Sequence, residues 1–319
     1  MDQEVADSLW PMLAPHFASL AHHSIANYPL QKYVGRLSNG LFIELLKAFP
    51  IDGSTPPGML QALAEAAVQH NTGFSEITKG LWASLGCGTK PTDPIEGLFP
   101  SLLSGVHCDD SSSMVVTVPG CITALRVLAF PVPFSRPIIA SLSKVSAEKL
   151  LEVVMHFMGS RVVEMVVKSR NTTSHHLNAL LQHLTPHAAT MACHSGASHV
   201  LEGLFFASPY PGKEALATKL SSQLSKLHAS PYGRKVYSKL KLDVFVSKRK
   251  EWKDKVDKKF QPALGNNGSP DMSWLLQPRH GALPGPKEEA AAPKTEEVTK
   301  KRKKQRDPDA KKKRKQQKI

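Results

Sequence analysis

Between residue 8 and about residue 245, apolar residues recur at helical spacing and are interrupted by short breaks of Pro, Gly and Ser, with little β-type alternation. The pattern predicts an all-α chain. Leu142, Val145, Leu150, Leu151, Val153, Val154 and Phe157 form one amphipathic run, and Leu177, Leu180, Leu181 and Leu184 form another. Each run is read as the first helix of a pair. A related segment comes after each: Gly159-Ser160-Arg161-Val162-Val163-Glu164 after the first run, and Ala197-Ser198-His199-Val200-Leu201-Glu202 after the second. The shared pattern is small, polar, basic, two apolar, acidic. Ser160 lies 38 residues before Ser198, and 36 more reach Arg234 in Tyr232-Gly233-Arg234-Lys235-Val236-Tyr237-Ser238. That period is typical of helical solenoids.

Upstream, Ala26-Asn27-Tyr28-Pro29-Leu30-Gln31 has the same form, while Phe74-Ser75-Glu76-Ile77-Thr78 and Cys121-Ile122-Thr123-Ala124-Leu125 fit more weakly. Counted this way there are about six repeats. The intervals from 27 to 74 and from 74 to 121 are both 47 residues, which predicts loop insertions in the second and third repeats. Residues 52 to 58 and 86 to 113, rich in Gly, Pro, Ser, Thr and Asp, would hold them. Lys248 to Lys259 alternates charges around Trp252 and Val256, with Phe260 beyond, and predicts a last amphipathic helix that caps the stack and could touch RNA with its basic face. Past Phe260 apolar residues become isolated and Pro, Gly, Glu, Ala and Lys dominate. The expected organisation is a repeat domain over 1–260 and a disordered linker and basic tail over 261–319.

Charge sharpens this division. The formal net charge is +14, which favours a polyanionic partner. Residues 300 to 319 carry twelve Lys/Arg and two Asp, so most of the basicity sits in the tail. There Lys300, Lys301, Arg302, Lys303 and Lys304, a spacer, then Lys311, Lys312, Lys313, Arg314 and Lys315 resemble a bipartite nuclear import signal read by an import receptor. The four cysteines lack CxxC spacing, which argues against a disulfide framework or zinc ribbon and fits a reducing compartment. The first residues are acidic and do not form a secretory signal. The apolar stretch from Met114 to Phe134 is broken by Pro119, Arg126, Pro131 and Pro133, so it is read as a buried repeat helix, with no membrane partner.

The recurring triplets carry recognition chemistry. Side chains at the first and fifth positions of a helix lie one turn apart on one side and can converge on one base edge. Asn27 and Gln31 match the donors and acceptors of uracil, with Tyr28 as a stacking ring. Ser160 and Glu164 suit guanine, because a carboxylate accepts from its ring N–H and exocyclic amine, and the planar guanidinium of Arg161 can stack. Ser198, His199 and Glu202 repeat that set; Arg234 and Lys235 match only loosely, and the Phe74 and Cys121 sets match no base.

These triplets resemble the base-reading code of the Pumilio (PUF) family over roughly residues 8 to 245. The degenerate repeats, the run Ser230 to Tyr237 and the Lys/Arg tail are similar, more narrowly, to the C-terminal half of the nucleolar Pumilio-like proteins. The resemblance implies a right-handed superhelical solenoid of armadillo-like repeats, located in the nucleus and nucleolus. It implies binding to single-stranded or partly structured precursor ribosomal RNA during small-subunit maturation, by a monomer, alongside small-subunit assembly factors. Such proteins carry more than six repeats, which implies a fragment or a shorter isoform without N-terminal repeats or cap.

Other chemistries are weak. His175, His176, His183, His187 and His194 with Cys193 lack acidic or cysteine partners at ligand spacing, so no metal or cofactor is expected. No GxSxG, P-loop or HExxH pattern occurs, and a hydrolase built on Cys193 and His194 would need a pocket where a solenoid offers a groove, so catalysis is not expected. The competing reading is an armadillo- or HEAT-like protein scaffold whose RNA affinity lies in the tail.

Overall fold

A computed structural model describes residues 2–52, 54–87, 97–108 and 114–259. The tail with its import-type basic clusters and part of the 86–113 insertion lie outside the described residues, as does Phe260. The described residues are helical throughout their regular structure, with no strand among them.

In every repeat but the second the unit is a triplet of helices, not the pair the sequence suggested; repeat two has no first helix among the described residues. In the fourth repeat these are Ala147–Met155, Gly159–Lys168 and Ser174–Leu184; in the fifth, Ala188–Ala192 after a short 3₁₀ turn, Ala197–Ala207 and Tyr210–Ser221. The run Leu177 to Leu184 therefore belongs to the third helix of repeat four and not to the first helix of repeat five. The second helices form one continuous row. Asn27–Val34 packs on Pro57–His70, that helix on Val118–Leu128, then Gly159–Lys168, Ala197–Ala207 and finally Pro231–Lys239.

This row corrects the second repeat. Its second helix is Pro57–His70, whereas Phe74–Ser84 is its third helix and lies beside the third helix of the next repeat, Val132–Leu142. Phe74 stacks against Phe130 and Phe134, with ring centroids 4.8 and 6.0 Å apart, and Thr78 is fully buried. Neither is presented for recognition. Residues 57 and 58, expected in a loop, open the helix, so the single long insertion falls between Phe74–Ser84 and Val118–Leu128.

In repeats three, four and six one residue near the start of the second helix must be small. A Cβ on Gly159 would stand 2.3 Å from the Val153 carbonyl oxygen, on Gly233 2.4 Å from that of Leu227, and on Gly120 2.2 Å from that of Leu103. Helix two thus begins against the end of helix one. Ala26 and Ala197 occupy the same place in repeats one and five.

A further helix packs on the first and on the last of these repeats. Helix Gln3–Leu13 docks on the first repeat, a contact with no counterpart in the sequence pattern: Asp7 accepts from the Ser38 amide at 2.9 Å and Tyr33 donates to Ala6 O at 2.9 Å. Burial and the nearby Asp7 charge push the Tyr33 phenol up to about 12. At the other end Arg249–Lys259 buries Trp252 and Val256 as the sequence predicted. Trp252 meets Phe245 and Phe205 edge-on and donates its indole N–H to Leu240 O at 3.0 Å. No helix among the described residues is long and apolar enough to cross a membrane.

The close approach generates a test. Gly159→Ala should destabilise the protein by about 1–3 kcal/mol, because the obstacle is backbone. Ala197→Gly should cost about 1–2 kcal/mol, since it adds backbone freedom and removes a fully buried methyl, without any clash. Urea midpoints of the two variants check both values.

Candidate nucleic-acid interface

The row of second helices is oriented by a recurring cap three residues before the small position. His23 Nδ1 accepts from the amides of Ile25 and Ala26 at 3.2 and 3.1 Å. His156 Nδ1 accepts from Gly159 N at 3.2 Å, and His194 Nδ1 from Gly196 and Ala197 N at 3.3 and 3.2 Å. In repeats three and six Thr117 and Ser230 do the same for Gly120 and Gly233, at 3.1 and 3.4 Å. Each cap satisfies a donor that the helix leaves open. Cys193 beside His194 lies 3.5 Å from Lys226 O, and His176 completes a capping box with Thr173. These side chains have structural partners.

The triplets at positions one, two and five come after the caps. In repeat four Ser160 is 2 % exposed and donates to Phe157 O at 3.0 Å, while Arg161 lies 5.4 Å over the Phe157 ring. Phe157 itself is 55 % exposed. Glu164 pairs with Lys168 one turn on, at 2.5 Å. Phe157, Ser160, Arg161 and Glu164 line a cleft of about 350 Å³ whose far wall is Ser195, Gly196 and His199 of repeat five. Sequence reasoning missed Phe157, whose signal was a large aromatic two residues before a position that demands Gly.

Repeat five repeats the hydroxyl geometry: Ser198 is nearly buried and donates to Ser195 O at 3.1 Å. His199 is exposed, but Glu202 is buried and its carboxylate contacts Lys239 of repeat six, with His199 Nδ1 4.0 Å away. In repeat one Gln31 donates to Asn27 Oδ1 at 3.1 Å, Asn27 donates to His23 O at 2.8 Å, and Tyr28 is 66 % exposed. The amide pair is thus joined side chain to side chain, with an open ring beside it. In repeat six Arg234 donates to His228 O at 2.9 Å and Lys235 stands 5.9 Å over the Tyr232 ring.

Repeat three is closed. Cys121 and Leu125 are fully buried, and desolvation pushes the Cys121 thiol up to about 12. Repeat two holds a set that sequence reasoning overlooked. Gln61 donates to Pro119 O at 3.0 Å, the residue before Gly120, just as Ser160 abuts Gly196 before Ala197. Gln61 and Glu65 therefore occupy positions one and five, and Glu65 binds Arg126 at 2.6 Å.

The fold and this face define a helical repeat protein that presents polar, basic and aromatic side chains along one stacked helix row. Residues 1–235 match the family model of the NOP9-like PUF repeat domain, and the chain belongs to that family. Nucleolar protein 9 of Mus musculus is 24% identical over 278 residues, covering 77% of this chain and 43% of that protein. The Kluyveromyces lactis protein of the same name is 33% identical over 122 residues, 38% of this chain and 18% of that one. The chain spans about two fifths of the mouse protein. A solved structure of APUM23 with its insert region deleted, named with the sequence GGAAUUGACGG, superposes with a TM-score of 0.70 at 19% identity, covering 80% of this chain and 52% of that one.

The caps make a measurable contribution: His194→Ala should lower stability by about 0.5–2 kcal/mol, and His194→Asn should recover most of it. Thermal melts of both variants report the difference.

Proposed function

We propose that the chain is a nucleolar RNA-binding protein whose row of second helices tracks single-stranded or partly structured precursor ribosomal RNA during small-subunit maturation. One observation carries this: the cleft between repeats four and five sets a ring, a guanidinium, a hydroxyl and a carboxylate of one repeat against a histidine of the next. A base entering it gains stacking surface on its faces and hydrogen-bonding groups at its edge. Family membership supports the reading, as do the uracils in the sequence named with APUM23, which make it an RNA. The name of the relatives supports the nucleolar address.

In this reading the chain acts by binding and performs no reaction. Residues 1–260 form the RNA-binding unit, and 261–319 a linker and tail. Lys300 to Lys304 and Lys311 to Lys315 are recognised by an import receptor and add phosphate contacts that choose no sequence. The outer helices leave room for small-subunit assembly factors around a monomer.

The test is selection from a randomised single-stranded RNA pool by the full chain and by the Ser160→Ala, Glu164→Ala double variant, at two salt concentrations. A guanine preference at one position should be present in the first and lost in the second. Equal, non-selective binding by both that disappears at high salt would instead leave a protein scaffold with a basic tail. Arg161→Ala should weaken binding by about 1–3 kcal/mol with little change in which base is preferred. Deleting residues 300–319 should flatten the salt dependence of affinity and leave selectivity intact.

A further inference from the structure

Glu65 and Glu202 stand at the fifth position of their second helices, where a carboxylate would face a base, yet both are engaged from the next repeat. Glu202 contacts Lys239 through Oε2, and Glu65 Oε2 contacts Arg126 at 2.6 Å. Lys239 and Arg126 hold the same place, six residues after the small residue of their helices, Gly233 and Gly120. Repeat four differs at this point. The residue of repeat five that corresponds to Lys239 is Gly203, whose added Cβ would meet Val167, so no cation reaches back from that position to Glu164. Glu164 pairs within its own helix, with a Lys168 that is 58 % exposed.

Reading guanine needs both carboxylate oxygens, one for the ring N–H and one for the exocyclic amine. Glu164 and Glu202 each have one oxygen on an ammonium, but Lys168 lies on Glu164's own helix and leaves that carboxylate 25 % exposed, whereas Lys239 comes from the next repeat and Glu202 is only 11 % exposed. The geometry assigns Lys239 the role of a specificity gate: it holds the fifth-position carboxylate of the preceding repeat away from the base. The Ser198 and Glu202 set, which looks like a guanine reader, is thereby neutral, and repeat four is left as the selective one. Lys239 is a positioning residue that acts through a neighbour, and the assignment rests on the RNA-binding reading above.

The sign of the expected effect is unusual, because removing a basic residue should create a base preference. The experiment compares the wild-type full chain, Lys239→Met, and Lys239→Met with Glu202→Gln on the randomised single-stranded RNA pool. Methionine keeps a flexible apolar stem near Phe206, over whose ring the lysine lies, at 5.8 Å. Wild type should select guanine at the one position served by repeat four. Lys239→Met should add a second guanine position with about tenfold preference, and Glu202→Gln should abolish that addition while sparing the first. Thermal melts establish that all three proteins fold. If wild type already selects two guanines and Lys239→Met loses one, the lysine positions a reader and the gate is refuted. If Lys239→Met binds with wild-type selectivity, Glu202 reads no base even when released, and the gate is equally refuted. Loss of selectivity at every position in all three proteins would overturn the RNA-reading function itself.

Discussion

The contact on which the interface depends is the approach of the second helix to the end of the first in repeats three, four and six. Because a Cβ at Gly120, Gly159 or Gly233 would lie little more than 2 Å from a carbonyl oxygen, the direction of helix two is dictated by backbone atoms. Side chains have little say in it. A cap three residues earlier then fixes the helix start, and three of the five caps are histidines. Because both constraints sit immediately before position one, the first, second and fifth positions emerge at the same place in every repeat that obeys them. The helix row is thus a periodic surface before any recognition chemistry is added to it.

Chemistry then varies on a constant frame. Repeat one offers an amide pair and an open tyrosine, repeat four a hydroxyl, a guanidinium and a carboxylate over an exposed phenylalanine. Repeat three fills the same positions with Cys121 and Leu125, which join the core. A buried thiol and a leucine offer a base no exposed polar group, and this repeat supports its neighbours on both sides.

Much of this was legible in the chain, and the exceptions have physical causes. Repeats four to six could be read because Gly159, Ala197 and Gly233 precede polar, basic positions at nearly constant intervals. Repeat two could not. Its second helix opens with Pro56, Pro57 and Gly58, which look like a loop, although proline is well suited to the first turn of a helix. Two equal intervals of 47 then made Phe74 look equivalent to Asn27 and Cys121, when one long insertion in repeat three was responsible. The pair Gln61 and Glu65, four apart on an alanine-rich helix, was the overlooked signal. The third helices were invisible as a separate class, because an apolar stripe does not say which neighbour it faces.

Burial explains why a triplet in sequence is not yet a reader. Ser160, Ser198 and Glu202 all have the residue type the code calls for, and all three are largely withdrawn from solvent. The hydroxyls donate to carbonyls three residues back, which leaves their lone pairs as acceptors and removes their donor function. The carboxylates are set apart from one another by what the next repeat supplies six residues past its small position: an arginine on Glu65, a lysine on Glu202, and after repeat four only Gly203, which lies beside Val167. In the proposed reading, base choice is therefore written across the joint between two repeats. A code read one helix at a time assigns the same meaning to Glu164 and Glu202, although only the neighbour of the second carries a charge that can answer it.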